Sequence, residues 1–239
     1  MIKYSFLMPY YDRAQQLEKT LLSFVEFYSH RKESFEVIII EDSKNIKDGL
    51  KHKQLLDTLK KFYSLLNIKH FLHKGKDTVN PVRLFNIGAK ASFGEFLVIT
   101  NPECEHSTDI LKGFDEEFDK NKGVYIVCSC ESLDQKNKHH MWYQHSELRN
   151  TCYHFCTAIL KETYFKVGEF DEEFNNGYGF DDNAFRDNLR MNNITFVLRD
   201  DLKVNHLYHK KVRPPNYREL LKINKNLYET KYKTKEGIK

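Results

Sequence analysis

The chain has 239 residues, of which 40% are hydrophobic and 14% aromatic, so it can form the core of one large domain or two small ones. A mean hydropathy of -0.65 and the lack of any apolar run of about 18 residues exclude a transmembrane helix. The net charge of +4 is compatible with an anionic ligand, a nucleic acid or an anionic membrane surface, and does not choose among them.

The cysteines and the N-terminal residues predict a compartment. The first residues, MIKYSFLMPYYDR, read as a strand and lack the basic region and long apolar stretch of a signal peptide. The cysteines are odd in number, lack zinc-ligand spacing and stand mostly in strand-like segments. They are Cys104, Cys128, Cys130, Cys152 and Cys156. We therefore expect reduced, buried thiols in a cytoplasmic protein.

Strand and helix patterns alternate over the first 130 residues. The predicted strands are residues 3–8, 35–42, 68–72, 95–100 and 123–130. The predicted helices are residues 12–29, 50–65, a helix that Asn80 and Pro81 begin as N-cap and first residue, and 107–120. The run FEVIIIED, 35–42, is typical of a parallel strand that is buried on both faces. The alternation predicts an α/β domain with a mostly parallel central sheet, which binds its ligand beyond the carboxyl ends of the strands.

The pattern changes after residue 130. Residues 131–150 are polar and rich in histidine, and a mobile loop is the simplest interpretation. The remaining predicted elements are a strand at 153–160, a helix at 161–167, a loop rich in Gly, Asn and Phe, a helix at 182–192 and a strand at 194–198. We expect them to complete the same domain and to form a second ligand surface. The lysine-rich residues 216–239 read as a solvated helix and a frayed tail.

Two predicted strands end in acids. Glu41 and Asp42 follow the run VIII, where a carboxylate can accept hydrogen bonds from a nucleotide base or a ribose hydroxyl. The alternative is a loop acid or a helix cap.

The stretch VITNPECEH, 98–106, ends a buried strand at Asn101-Pro102. A carboxylate such as that of Glu103 suits Mg²⁺ or Mn²⁺, and Mn²⁺ also accepts the imidazole of a residue such as His106. Alternatively, Glu103 and Glu105 interact with the positive end of the next helix.

His206 and His209, in VNHLYHKK, are candidates for the other half of a metal site. At this spacing they can share a helical face or meet in a turn, and together with a strand-end acid they could bind a divalent ion. The alternative is a pair of surface histidines. The cations Lys210, Lys211 and Arg213 follow, which suits either a diphosphate or an ordinary basic surface.

Two aromatic segments also carry candidates. GYGFDDN, 177–183, places Asp181 and Asp182 at a helix start, where one acid could act as a general base and the other could cap the helix. Trp142, the only tryptophan, could stack on a sugar or a base from the segment HHMWYQH. No phosphate-binding glycine loop, dinucleotide fingerprint or nucleophile elbow is present, which argues against kinases, dinucleotide oxidoreductases and α/β-hydrolases.

Taken in order, five segments resemble the GT-A glycosyltransferases, especially family 2 and the galactosyltransferase-like members. They are YSFLMPYYDRAQQLEKTLLSF, FEVIIIEDS, NPVRLFNIGAKASFGEFLVITNPE, VGEFDEEFNNGYGFDDNAFRDNLR and VNHLYHKKVRP. The resemblance covers about residues 3–215. It implies a single GT-A domain, 1–215, with a nucleotide-sugar-binding half (1–130) and an acceptor-binding half (131–215), followed by a basic C-terminal helix or tail (216–239).

The resemblance also implies roles for individual residues. The catalytic base is Asp182, with Asp181 as the second choice. The metal ligands for Mn²⁺ or Mg²⁺ are Glu103 and one of His206 or His209. The nucleotide-sugar contacts are Pro9, Tyr11, Glu41, Asp42, Arg83, Asn86, Lys211 and Arg213. The acceptor contacts are Trp142, Tyr178, Gly179 and Phe180.

The chain departs from the family pattern in two places. Asn101-Pro102-Glu103 stands where the family has D-x-D, so only Glu103 supplies a carboxylate. Phe85 replaces the usual Arg before Asn86, which leaves Arg83 a weaker candidate for a phosphate contact.

The implied activity is a metal-dependent, inverting, hexosyltransferase-like transfer of sugar from a nucleotide-sugar, UDP-linked by preference, to a glycan hydroxyl. Two alternatives remain at this point. One is transfer to a hydroxymethylated pyrimidine in DNA, and the other is a non-catalytic nucleotide- or glycan-binding module. A nucleotidyltransferase is disfavoured because no glycine follows the first strand in MPYYDRAQQ.

Overall fold

The computed structural model describes residues 1–75, 80–210 and 213–233. The strands in these ranges are β1 (Tyr4–Tyr10), β2 (Phe35–Glu41), β3 (Ile68–Leu72), β4 (Phe96–Thr100), β5 (Cys104–His106), β6 (Val124–Leu133), β7 (His139–Gln144), β8 (Cys156–Leu160) and β9 (Thr195–His206). The helices are α1 (Ala14–Tyr28), α2 (Ser43–Lys47), α3 (Gly49–Lys60), α4 (Val82–Ala91), α5 (Ile110–Lys120), α6 (Lys161–Lys166), α7 (Asp181–Met191) and α8 (Tyr217–Tyr228). Among the described residues, no helix has both the length and the apolar character that crossing a membrane requires.

The strands of the described ranges form one sheet in the order β3-β2-β1-β4-β8-β6-β9-β5, and β7 pairs with β6. Strands β3, β2, β1 and β4 run parallel to one another. Strands β1, β2 and β4 are buried on both faces, which explains their mainly apolar sequences, whereas the edge strand β3 is partly exposed. On one face, Leu17 and Phe24 of α1 contribute to the core, and on the other Leu84 and Phe85 of α4 do so. The expected α/β fold with a mainly parallel central sheet is confirmed.

The second half of the chain adds the antiparallel pairs. Strand β8 pairs antiparallel with both β4 and β6, β9 runs parallel to β6, and β5 lies antiparallel to β9. Because β5 occupies Cys104–His106, helix α5 begins at Ile110 rather than at residue 107. This arrangement brings the end of β9 beside the end of β4, and both ends border the site described below.

Two predictions for this half are wrong. Residues 139–144 form strand β7 of a hairpin with β6, not a loop, and β9 continues to His206 instead of ending at residue 198. Both segments are partly exposed and carry polar residues, including Arg199, Asp200 and Asp201 in β9. In β9 the polar run 199–201 interrupts the apolar pattern before the alternating residues 202–206, and β7 begins with exposed histidines, so neither segment shows the sequence signal of a strand over its full length.

The C-terminal helix also differs from the prediction. Helix α8 was expected to be solvated, yet Asn224 is fully buried and Tyr228 is only 5% exposed. Tyr228 belongs to the same apolar cluster as Phe185 of α7. The helix therefore packs against α7 and the turn that precedes it.

Candidate active site

A cleft of about 310 Å³ opens at the carboxyl ends of β1, β2 and β4. The first half of the chain lines it with residues that end or follow these strands and with residues at the start of α4, and the second half lines it with two residues from loops. The first-half residues include Pro9, Tyr11, Asp42, Asn101 and Glu103, and the second-half residues are Tyr178 and Pro214. The predicted position of the ligand beyond the strand ends thus coincides with a cavity in the structure.

The two acids at the end of β2 lie in different surroundings. Asp42 lines the cleft and also caps α2, because its side chain accepts a hydrogen bond of 2.8 Å from the backbone N–H of Lys44. Both interpretations of this residue, a cleft acid and a helix cap, therefore apply to it.

Glu41 is fully buried and is not among the residues that line the cleft. Its carboxylate is bonded by Asn45, by His52 Nδ1 at 3.0 Å and by His70 Nε2 at 2.9 Å. Burial by itself raises the pKa of Glu41, but these hydrogen bonds outweigh it and lower the pKa. The structure thus places Glu41 in an internal polar network, which differs from the expected contact with a nucleotide.

Glu103 meets His206 and His209 at the edge of the cleft. Its Oε1 lies 3.6 Å from His206 Nε2 and 3.5 Å from His209 Nε2, and its Oε2 lies 3.9 Å from Arg13 Nε. Burial raises the pKa of Glu103, but the hydrogen bond and charge of His206, with the charges of His209 and Arg13, lower it to about 2. Glu103 is therefore an anion at any physiological pH.

The geometry of this cluster fits a divalent cation. Two ligand atoms that each lie about 2.1 Å from one ion are about 3.0 to 3.5 Å apart, close to the distances between Glu103 and the two histidines. One carboxylate and two imidazoles suit Mn²⁺ better than Mg²⁺, which prefers oxygen ligands. Burial lowers the pKa of His209, although the charge of Glu103 opposes this, and so favours the neutral imidazole that binds metals.

His206 and His209 are brought together by the end of a strand and the residues after it, not by a helix. His206 is the last residue of β9, and the ring centroids of the two histidines are 5.2 Å apart. His206 also packs against the ring of Tyr143 on β7. His106, in contrast, is buried in the core with its Nδ1 2.7 Å from the hydroxyl of Tyr28, and it does not join the Glu103 cluster.

A second acidic cluster lies at the start of α7. His154 Nδ1 is 3.1 Å from Asp182 Oδ1, and His154 Nε2 is 3.9 Å from Asp181 Oδ2. Burial and the charge of Asp182 raise the pKa of Asp181 to about 6, against the charge of His154 and a hydrogen bond from Asn80. Burial raises the pKa of Asp182 to about 6, against a hydrogen bond from the backbone of His154 and the charge of Arg186.

His154 is a buried neutral imidazole. Burial lowers its pKa to about 4, although the charge of Asp181 opposes this. The rings of Phe85 and Phe170 contact it edge to face at centroid distances of 5.3 and 4.8 Å. Because Nδ1 is 3.1 Å from a carboxylate oxygen, one proton must lie between the two atoms to avoid repulsion of their lone pairs. The cluster can therefore hold or move a proton at Asp182.

Several predicted contacts lie outside the cleft lining. Arg83 Nε donates to Glu172 Oε2 at 2.9 Å, and Asn86 bonds the backbone of Phe170 and the hydroxyl of Tyr164. In the structure, the side chains of Arg83 and Asn86 on α4 therefore bind residues 164–172 of the protein and do not point into the cleft lining.

The remaining predicted contacts fall into three groups. Tyr178 lines the cleft, and Gly179 and Phe180 follow it in the loop before α7. Trp142 lies in β7, where its ring contacts those of His139 and His145, and it is not among the cleft-lining residues. Arg213 stacks over the ring of Tyr217 at 4.7 Å, next to the cleft residue Pro214. Lys211 lies outside the described residues.

Sequence reasoning missed three residues of the site. Arg13 lies beside Glu103, Asn80 links the cleft to Asp181, and His154 links the two aspartates. Asn80 was interpreted only as the N-cap of a helix that begins at Pro81. In the structure Pro81 is the N-cap and α4 begins at Val82, whose backbone N–H donates to Asn80 Oδ1. Nothing in the local sequence around Arg13 or His154 indicates their partners, which are distant along the chain.

The family model of glycosyl transferase family 2 matches residues 5–189, more than half of the chain. No curated protein is significantly similar to the chain in sequence. Solved structures, in contrast, share its fold. S. aureus TarS 1-349 in complex with UDP has a TM-score of 0.70 at 16% identity, over 95% of this chain and 66% of that chain.

Two further structures are similar to the same extent. TarS 1-349 from S. aureus in complex with UDP-GlcNAc has a TM-score of 0.71 at 14% identity, over 95% of this chain and 67% of that chain. GalNAc-T7 with UDP, GalNAc and Mn²⁺ has a TM-score of 0.70 at 16% identity, over 96% of this chain and 48% of that chain. The chain thus spans about two thirds of TarS 1-349 and half of GalNAc-T7. The chain belongs to glycosyl transferase family 2 and has the GT-A fold.

Proposed function

We propose that the chain transfers a sugar from a UDP-sugar to a hydroxyl group of a glycan, with inversion at the anomeric carbon and with a divalent metal ion. The observation that carries this proposal is the cluster of Glu103, His206 and His209 at the edge of a cleft formed by the carboxyl ends of parallel strands. The UDP and UDP-sugar complexes of TarS and the UDP and Mn²⁺ complex of GalNAc-T7 support the choice of donor and ion.

The donor occupies the cleft. Asp42, Pro9 and Tyr11 contact the nucleoside, since they line the part of the cleft that follows β1 and β2. The diphosphate lies toward Glu103, where Arg13 supplies a fixed cation and Arg213 a second one nearby. Mn²⁺ or Mg²⁺, when held by Glu103, His206 and His209, would neutralise charge on the diphosphate leaving group.

Asp182 is the general base. Its side chain is 34% exposed, whereas that of Asp181 is only 9% exposed, so Asp182 is the acid that an acceptor hydroxyl can reach. A pKa of about 6 leaves Asp182 ionised at neutral pH yet basic enough to take the proton of the hydroxyl. The deprotonated oxygen then attacks the anomeric carbon from the face opposite the diphosphate, and this single displacement inverts the configuration.

The two halves of the domain divide these tasks. Residues 1–130 supply the nucleoside contacts, Arg13 and Glu103. Residues 131–215 present the base and the loop of Tyr178, Gly179 and Phe180 to the acceptor, and they add His206, His209 and Arg213 near the diphosphate. Tyr178 borders the cleft, so an acceptor bound at this loop lies beside the donor. Trp142, on the β6–β7 hairpin, would contact only the more distant part of an extended glycan acceptor.

The proposal is tested by UDP release from UDP-sugars with a panel of glycan acceptors, with and without Mn²⁺. Replacing Asp182 by Asn should lower kcat by about 10²- to 10⁴-fold, the usual contribution of a positioned base, and leave UDP binding unchanged. Asp119→Asn, on α5 and with a side chain that is 78% exposed, is the control. UDP binding without turnover on any acceptor would instead support the non-catalytic module, and turnover only on hydroxymethylated DNA would refute the glycan acceptor.

A further inference from the structure

The loop between the short helical turn at residues 172–176 and α7 has an unusual backbone. Gly179 and Phe180 both have positive φ angles, of 67° and 63°. Glycine adopts this conformation freely, but for a residue with a Cβ such as Phe180 it is strained. Strained residues of this kind persist only when the surrounding structure holds them in place. Asp181 and Asp182 follow immediately, so whatever holds this loop also places the base.

Asn224 of α8 fixes this loop by hydrogen bonds. Its side chain is fully buried, and its Nδ2 donates to the carbonyl oxygen of Phe174 at 2.9 Å and to that of Gly179 at 2.8 Å. A Cβ on Gly177 would lie 2.2 Å from Asn224 Oδ1, so the absence of a side chain there permits the close approach. One turn earlier on the helix, the carbonyl oxygen of Leu220 accepts a hydrogen bond of 3.1 Å from the backbone N–H of Tyr178.

The two ends of α8 hold the neighbouring elements. At the C-terminal end, the hydroxyl of Tyr228 donates to Asp187 Oδ2 on α7 at 2.6 Å, and its ring lies 5.6 Å from that of Phe180. At the N-terminal end, the ring of Tyr217 contacts that of Tyr178, a residue that lines the donor cleft. Helix α8 therefore contacts the cleft wall, the strained loop and the helix that carries the base.

We propose that Asn224 is a positioning residue, through which α8 holds the loop 177–180 in the conformation that directs Asp182 toward the acceptor. This inference rests on the proposed function, because it assigns Asn224 a role in a reaction whose base is Asp182. Helix α8 lies beyond the residues that match the family model, 5–189.

Asn224 is not one of the residues that line the donor cleft. The hydrogen bonds of its side chain go to backbone carbonyls, those of Phe174 and Gly179, and not to a residue that lines the cleft. Its loss should therefore change the placement of the base and leave the binding of UDP as it is. A misplacement of the reacting groups by about 1 Å lowers the rate by up to about 100-fold.

The test compares three variants. Asn224→Asp keeps the size of the side chain but replaces the Nδ2 amino group, which donates both hydrogen bonds, by one oxygen that faces the carbonyls of Phe174 and Gly179. Asn224→Ser keeps one donor and should rescue part of the effect. Asn226→Ala, on the exposed face of the same helix, is the control. The measurements are kcat and KM for UDP release, the Kd of UDP by calorimetry, and amide hydrogen exchange of residues 177–183.

We expect Asn224→Asp to lower kcat by about 10- to 100-fold, with the Kd of UDP unchanged, faster exchange at residues 177–183 and a smaller effect in Asn224→Ser. The control should match the wild type. An unchanged kcat in Asn224→Asp, or equal losses of kcat and UDP affinity, would overturn the positioning role. If Asn224→Asp does not fold, Asn224→Ser decides on the same criteria. If the wild type shows no turnover, the proposed function is refuted independently of Asn224. If amide hydrogen exchange at residues 177–183 is the same in the variants and the wild type, Asn224 does not stabilise the loop.

Discussion

Replacing Asp181 by Asn should stabilise the protein at neutral pH and leave it nearly unchanged in acid. Burial and the neighbouring Asp182 raise the pKa of Asp181 from 3.8 to about 6 in the folded protein. The folded state therefore keeps a proton that the unfolded chain has lost between these two values. A group of this kind contributes stability that is fully present below its unfolded pKa and is lost as the pH rises to its folded pKa.

The magnitude follows from the shift. One pKa unit corresponds to about 1.4 kcal/mol, so the change at Asp181 amounts to about 3 kcal/mol, of which about 2 kcal/mol develops above about pH 4.5. Asparagine resembles the protonated acid and has no charge to desolvate. The free energy of unfolding of Asp181→Asn should therefore equal that of the wild type below about pH 3, exceed it by about 1 kcal/mol near about pH 4.5 and exceed it by about 3 kcal/mol near about pH 7.5.

Urea unfolding at a series of pH values measures this difference directly. Asp187→Asn is an informative control, because burial raises the pKa of Asp187 but its hydrogen bonds with Arg186 and Tyr228 lower it overall. The free energy of unfolding of that variant should fall further below the wild-type value at neutral pH than in acid, so its difference from the wild type should change with pH in the opposite direction. If the free energies of unfolding of Asp181→Asn and the wild type differ by the same amount at all pH values, burial does not raise the pKa of Asp181 and the explanation is wrong.

Three further predictions follow from the site and the core. The pH profile of kcat/KM should rise through about pH 6 and then level off, because Asp182 must be ionised to act as base; a profile that is flat between about pH 5 and about pH 8 would exclude it. Glu41→Gln should lower the free energy of unfolding by about 1 to 3 kcal/mol without changing the Kd of UDP, whereas Asp42→Ala should weaken UDP binding; the reverse result would restore Glu41 as the nucleotide contact. All five cysteines are buried and free, so a thiol reagent should label none of them in the native protein and five after unfolding; a smaller number after unfolding would indicate a disulfide.

The parallel half of the fold could be predicted because its signals are local. Strands β2 and β4 are continuous apolar runs, and the residues that follow them lie at the same edge of a parallel sheet. That reasoning placed Asp42 and Glu103 beside one ligand. It could not separate Glu41 from Asp42, because successive residues of a strand point to opposite faces and only the sheet shows which face meets the cleft.

The rest of the site depends on contacts between distant parts of the chain. His154 and Asp182 are 28 positions apart in the printed sequence, and no local pattern joins them. His206 was placed on a helix or a turn because the middle of β9 is polar and partly exposed. Helix α8 was predicted as a helix, but the burial of Asn224 depends on its hydrogen bonds with the loop before α7.

The central claim is that Glu103 helps to build a metal-dependent donor site, and calorimetric titration of UDP with and without Mn²⁺ tests it most directly. Glu105, two residues away on β5, provides the control variant Glu105→Ala. We predict that UDP binding requires Mn²⁺, that Glu103→Ala weakens it by at least about 10-fold, and that Glu105→Ala leaves it unchanged. Tight UDP binding that responds neither to Mn²⁺ nor to Glu103→Ala would contradict the claim and leave Glu103 as an ion-paired residue of the cleft wall.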